Sequence, residues 1–208
     1  MIDNFELIKS LFYFNEVNDT FFHCQIVQRA KDHKGENMKV KEGAIKTYFI
    51  RSREHLDKVK EEVIFFCEHY GARAYINVAR KDFKNLQDLL LAKLAEYNLN
   101  GTVRDPRRML NSAAGELKPR NPKWIVDIDD VSIKDEVLEW LDNYFKVRER
   151  SLANDRYSIY LYAEVPTKSG IHLISQPFNL KEFHDTFPDV DVHKNNGTLL
   201  YYPKSLEK

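Results

Sequence analysis

What this chain lacks narrows its reading before any motif does. Cysteine is nearly missing: only Cys24 and Cys67 are present, and no CxxC pair exists to start a zinc ribbon or knuckle. Both stand in apolar runs, Phe21-Phe22-His23-Cys24 and Phe65-Phe66-Cys67, the setting of small buried thiols in a reducing compartment. Net charge is missing too. Lys plus Arg number 32 and Asp plus Glu number 32, so no whole-molecule field draws in a polyanion. Nucleic-acid binding would need a local patch. No apolar run approaches the length of a membrane span. The start, Met1-Ile2-Asp3-Asn4-Phe5-Glu6, has neither the basic nor the apolar region of a secretory signal. The expectation is a cytoplasmic protein with no membrane partner. Internal repeats, low-complexity segments and heptad runs are also absent.

What remains is ordinary globular material. The 208 residues are 43% hydrophobic and 31% charged, enough for one domain or two small lobes. The 11 Tyr and 13 Phe more commonly fill a core than stack on bases. In the first half, residues 3–14 read as an amphipathic helix and 21–29 as a strand. A polar turn at 32–37 leads to a strand at 46–50. Ser52 precedes a helix over 53–70 that Gly71 should end. A strand over 72–78 follows, with Arg73, Tyr75 and Asn77 on its polar face, then a helix over 82–98. Residues 100–120 form a basic connector carrying Arg104, Arg107, Arg108, Lys118 and Arg120. It reads either as a solvated linker or as a phosphate-contacting loop.

The second half is organised around Trp124-Ile125-Val126-Asp127-Ile128-Asp129-Asp130. Read as a strand, it puts Trp124, Val126 and Ile128 on one face and Ile125, Asp127 and Asp129 on the other. The two carboxylates then stand roughly 7 Å apart along the strand. An apolar strand tolerates such a pair when divalent cations sit over it; the alternative is an acidic turn before a helix. After it come a helix over 132–150, a strand over 157–165, a turn at 166–170 and a strand over 171–178. A short helix over 180–187 precedes short strands at 190–194 and 198–202, set around the turn Asn195-Asn196-Gly197. Strand–helix–strand–strand–helix–strand is the split βαβ pattern. The expected fold is therefore α+β: an N-terminal α/β lobe with its connector (1–118), then an RRM-like antiparallel sheet with helices on one face (119–208).

Two more stretches carry chemistry. Lys168-Ser169-Gly170-Ile171-His172 offers an ammonium, a hydroxyl and a tight turn beside a histidine, on a strand expected to neighbour the Asp127 strand. Asp189-Val190-Asp191-Val192-His193 repeats carboxylates at i and i+2. Taken in order, these three stretches resemble the archaeo-eukaryotic primase superfamily, whose pattern is an hhhDhD strand, then an SGxH turn, then an acid on a later strand. That acid is best placed at Asp191, with Asp189 the alternative. The motifs lie within 124–194, while the outline of the family fold covers the whole chain.

The resemblance implies a minimal, standalone primase-polymerase. It would extend a short primer on a single-stranded nucleic-acid template, using NTP or dNTP. Asp127, Asp129 and Asp191 would be the catalytic metal ligands for Mg²⁺ or Mn²⁺, and Lys168, Ser169 and His172 would hold the triphosphate. Arg73, Arg104, Arg107 or Arg108 would add phosphate contacts, and Tyr201 and Tyr202 would stack or pack. The family's zinc stem is missing and no helicase domain follows, so a separate helicase or replication protein is an expected partner. Other functions also fit the same residues: a non-catalytic nucleic-acid-binding accessory module, a metal-dependent nuclease or phosphohydrolase, or a structural protein with an incidental acidic strand.

Overall fold

A computed structural model describes residues 1–12, 19–33, 42–102, 105–151 and 160–207. Arg104 and residues 34–37 of the expected polar turn lie outside the described residues. The first half contains β1 (Ile2–Asp3), α1 (Phe5–Leu11), β2 (Thr20–Gln28), β3 (Gly43–Ile50), α2 (Arg53–Tyr70), β4 (Arg73–Ile76), β5 (Lys81–Asp82) and α3 (Phe83–Leu99). The boundaries of α2 have local causes. Ser52 accepts a hydrogen bond from His55 N at one end, and Gly71 turns left-handed at φ 54° at the other. Leu56, Val63 and Cys67 form its buried stripe, and both thiols are free and buried.

The basic connector differs from expectation, because residues Pro106–Glu116 form a helix, α4. Asp105 caps it by accepting from Arg107 N, and Pro106 fits the first turn, where no donor is needed. Its inner face, Met109, Ala113 and Ala114, is buried, with the two alanines and Leu117 packed against Phe21 and Leu86.

The second half contains β6 (Trp124–Ile128), α5 (Lys134–Ser151), β7 (Leu161–Pro166), β8 (Ile171–Ser175), α6 (Leu180–Thr186), β9 (Asp191–His193) and β10 (Thr198–Tyr202). The molecule is thus mixed α+β, with two antiparallel sheets. One is ordered β1-β10-β4-β2-β3, with β5 also on β2; the other is ordered β7-β8-β6-β9. Strand β6 sits inside the second sheet, between β8 and β9.

The last strand departs from the sequence reading, which grouped 198–202 with the second lobe. Strand β10 hydrogen-bonds to β1 and β4 in the first sheet. Asn195-Asn196-Gly197 is therefore a crossing between sheets rather than a hairpin turn joining β9 to β10. Five consecutive buried residues, Thr198 to Tyr202, explain the choice. A strand buried on both faces needs a central place in a sheet, and the gap between β1 and β4 supplies one.

Strand β6 joins the two cores. Ile125 packs with Phe22, Ile76 and Leu200 of the first lobe. Val126 and Ile128 pack on the other side with Val137, Leu141 and Phe183. Each of these three buried aliphatics contributes about 1.5–3 kcal/mol. Their burial anchors the strand that carries Asp127. Among the described residues, no helix is long and apolar enough to cross a membrane.

Candidate functional site

A cleft of about 670 Å³ lies between the two sheets, and Asp127, Asp129, Lys168, Ser169, His172 and Asp191 all line it. Strand register explains why. Asp127 is paired with His172 of β8 on one side and with Asp191 of β9 on the other. Directly paired residues in an antiparallel sheet bring their Cβ atoms to about 5 Å. Asp129 follows two residues on, on the same face. Asp189 lies exposed in the turn before β9 and is not among the cleft's residues. Asp130 accepts from Ser132 N and Oγ at 3.0 and 2.6 Å, capping the short 3-10 turn that leads into α5.

Asp127 is the most constrained member. Its Oδ1 lies 3.3 Å from His172 Nε2 and its Oδ2 lies 3.7 Å from His193 Nε2. The hydrogen bond from His172, ahead of the opposing effect of burial, holds its carboxyl below the usual carboxylate range. His172 is itself oriented by the buried Thr198 hydroxyl, 2.8 Å from Nδ1. The chain Thr198–His172–Asp127–His193 therefore runs from β10 across β8 and β6 to β9. Asp129 and Asp191 are exposed.

Gly170 sets the position of the Lys168–Ser169 turn. A Cβ built there would fall 1.9 Å from Ile128 O and 2.9 Å from Asp129 Cα. The turn lies directly on the end of β6, and only glycine permits that approach. It is closed by Thr167 N donating to Gly170 O at 3.0 Å and Gly170 N donating to Thr167 Oγ1 at 3.1 Å.

The facing wall comes from the first lobe. Arg29, Lys31 and Arg73 line it. Arg73 is buried in a forked pair with Asp32, with one bond at 2.7 Å. Arg29 donates to Tyr75 Oη at 3.1 Å. Burial, then the charges of Arg29 and Arg73, lower the pKa of Lys31, and Asp129 opposes this across the cleft. Arg107 and Arg108 lie elsewhere, in a separate hollow with Asp105 and Asn111. Tyr201 and Tyr202 are buried, and their hydroxyls donate to Glu68 Oε1 at 2.7 Å and Leu206 O at 2.9 Å. They pack rather than stack.

Sequence reasoning missed His193, Thr198, Arg29 and Lys31. For His193 a signal existed: it lies two residues after Asp191 and so shares its face. For the others there was none, since Thr198 reaches the site only because β10 changes sheets. Two further cleft residues carry buried polar atoms without a hydrogen-bond partner among the described residues, His23 Nε2 and Asn195 Oδ1. Such orphans are costly in a purely structural surface and are expected where a ligand completes the bonding.

As they stand, no three His, Cys, Asp or Glu side chains among the described residues converge tightly enough to hold a metal ion. The donor chemistry nonetheless fits a hard divalent cation. Three carboxylates share one wall, two of them exposed, and the third is braced by imidazoles in the manner of outer-shell partners. Neither protein-family models, curated proteins nor solved structures compared with the chain match it.

Proposed function

We propose that the cleft is the active site of a metal-dependent nucleotidyltransferase of primase-polymerase type, which extends a primer on a single-stranded template. The observation that carries this reading is the register. Asp127, His172 and Asp191 stand abreast on three adjacent strands, and the glycine turn of Lys168 and Ser169 lies against the end of the same β6. The order β7-β8-β6-β9, with helices after the first and third strands in sequence, supports an RRM-like split βαβ lobe beneath it. That Asp127, Asp129, Ser169, His172 and Asp191 line one cleft supports the resemblance to the archaeo-eukaryotic primase superfamily.

In this reading Asp127, Asp129 and Asp191 would hold Mg²⁺ or Mn²⁺. When bound, such ions supply the charge that stabilises the attacking and leaving oxygens of an in-line displacement at phosphorus. The chain's own residues do the positioning. The primer 3′-hydroxyl oxygen would bond to the α-phosphorus of NTP or dNTP as the bond from that phosphorus to the pyrophosphate oxygen breaks, with the hydroxyl proton passing to solvent. Lys168 and Ser169 donate to the triphosphate from an exposed turn. His172, fixed by Thr198 through Nδ1, holds Asp127 in one orientation through Nε2; with both ring nitrogens engaged, the expected triphosphate contacts fall to Lys168 and Ser169. Arg29 and Lys31 offset phosphate charge from the opposite wall.

The test is incubation of the chain with a primed single-stranded template, labelled nucleotides and Mn²⁺. Longer products are expected. Shorter products would assign the carboxylates to a nuclease, and unchanged strands with metal-independent binding would assign the chain to an accessory module.

A further inference from the structure

A second cavity, of about 610 Å³, opens at the other end of β6. The carboxylates stand toward the C-terminal end of that strand. Lys123 immediately precedes its first residue, four residues from Asp127, or about 13 Å along an extended chain. Arg80, Lys81, Arg120 and Lys123 line this cavity together with a single carboxylate, Asp82. That carboxylate is already engaged: it caps α3 through Asn85 N at 3.2 Å and pairs with Arg120 at 2.8 Å.

Arg120 is exposed, but the lysines are not an ordinary solvated fringe. Lys81 is 1% exposed and donates to the Ala114 carbonyl at 2.6 Å, and no carboxylate among the described residues pairs with it. Burial brings its pKa down to about 8. The Lys123 ammonium lies 4.2 Å from the centre of the Tyr162 ring. Burial, then the charge of Arg80, lowers the Lys123 pKa as well. In a chain with no net charge, a concavity lined by four cationic side chains and one carboxylate is a place where an anion relieves like-charge repulsion.

We propose that this cavity binds backbone phosphates of a single-stranded nucleic acid and leads that strand toward the catalytic cleft. The strand's identity rests on the polymerase reading; the site's preference for phosphate does not. Two features favour a chain over a free phosphate ion. The volume far exceeds a single phosphate, and Tyr162 offers aromatic surface beside the cations. Lys81 lies in the wall between the two cavities and lines both, so the two hollows are neighbours.

The experiment is fluorescence anisotropy of a labelled oligo-dT with the full chain and with the Arg120→Gln/Lys123→Gln variant, across a NaCl series. Inorganic pyrophosphate serves as the competitor. The variant should bind about tenfold more weakly at low salt, and its salt slope should fall by roughly 1.4, the amount expected for two lost single-strand phosphate contacts. A circular-dichroism melt matching the parent shows that the fold is kept. Equal affinity and equal slope in a folded variant would overturn the proposal. So would a variant that loses only pyrophosphate binding, since the site would then serve a free anion. Primer extension by the unmodified chain reads the catalytic proposal separately. No extension with weakened oligonucleotide binding in the variant removes the polymerase and keeps the site; extension with unchanged binding does the reverse.

Discussion

Asp127 carries two kinds of neighbour. Ile125 and Ile128 beside it on β6 are buried, while its own carboxylate faces two imidazoles. Asn at this position keeps the shape and one acceptor oxygen but loses the charge, so it separates chemistry from folding. His23, on the opposite wall, makes a different prediction. Its imidazole is buried, and burial, then the charge of Lys81, brings its pKa down to about 4. The folded state thus resists a proton that the unfolded chain accepts near the usual imidazole value. Stability is therefore unaffected above that value and is lost as pH falls from about 6.5 toward 4. In urea titrations at pH 7 and pH 4, the parent should lose roughly 3 kcal/mol relative to His23→Gln. An equal loss in both proteins would show that His23 takes its proton freely in the fold.

At the scale of elements, the turn before β8 is the most exacting feature. Ala at Gly170 would drive a methyl into the Ile128 carbonyl, so the turn or the end of β6 must move. The expected cost is about 1–3 kcal/mol, read as a lower urea midpoint and accompanied by weaker nucleotide binding, because Lys168 and Ser169 move with the turn. A variant as stable as the parent would contradict the close approach. This turn also marks what could be read beforehand. Alternation along 124–129 put Asp127 and Asp129 on one face, and the pairing of that strand with the strand of His172 was anticipated from element order. The tight turn at Gly170 was legible, but its close approach to β6 was not, since that distance is a tertiary fact. Asn195-Asn196-Gly197 misled for a similar reason. Its residues favour a tight reversal locally, but burial of Thr198 to Tyr202 draws the chain into the other sheet. Helix α4 was hidden by its arginines, which face outward from Ala113 and Ala114.

At the scale of the molecule, β10 ties the two lobes together. It lies between β1 and β4 and delivers Leu200 to the core that also holds Ile125 and Ile174. Thr198, at its start, orients His172. Residues 1–118 alone lack this central strand and expose the faces it covers. That fragment should show no cooperative thermal transition by circular dichroism, whereas the full chain should show one. A cooperative melt for the fragment would mean that the first lobe folds without β10. The same interlock makes the cleft a product of both lobes: the carboxylates come from one sheet, Arg29 and Lys31 come from the other, and neither half of the chain forms the site by itself.

The measurement that bears most directly on the cleft's assigned chemistry is single-nucleotide incorporation with Mn²⁺ on a primed template, comparing the parent with Asp127→Asn at matched thermal midpoints. The parent should add nucleotide. The variant should lose at least about a hundredfold in rate, the order expected when an electrostatic or metal-holding group is removed from a phosphoryl-transfer site. Incorporation at the parent's rate by a folded Asp127→Asn protein would contradict the assignment.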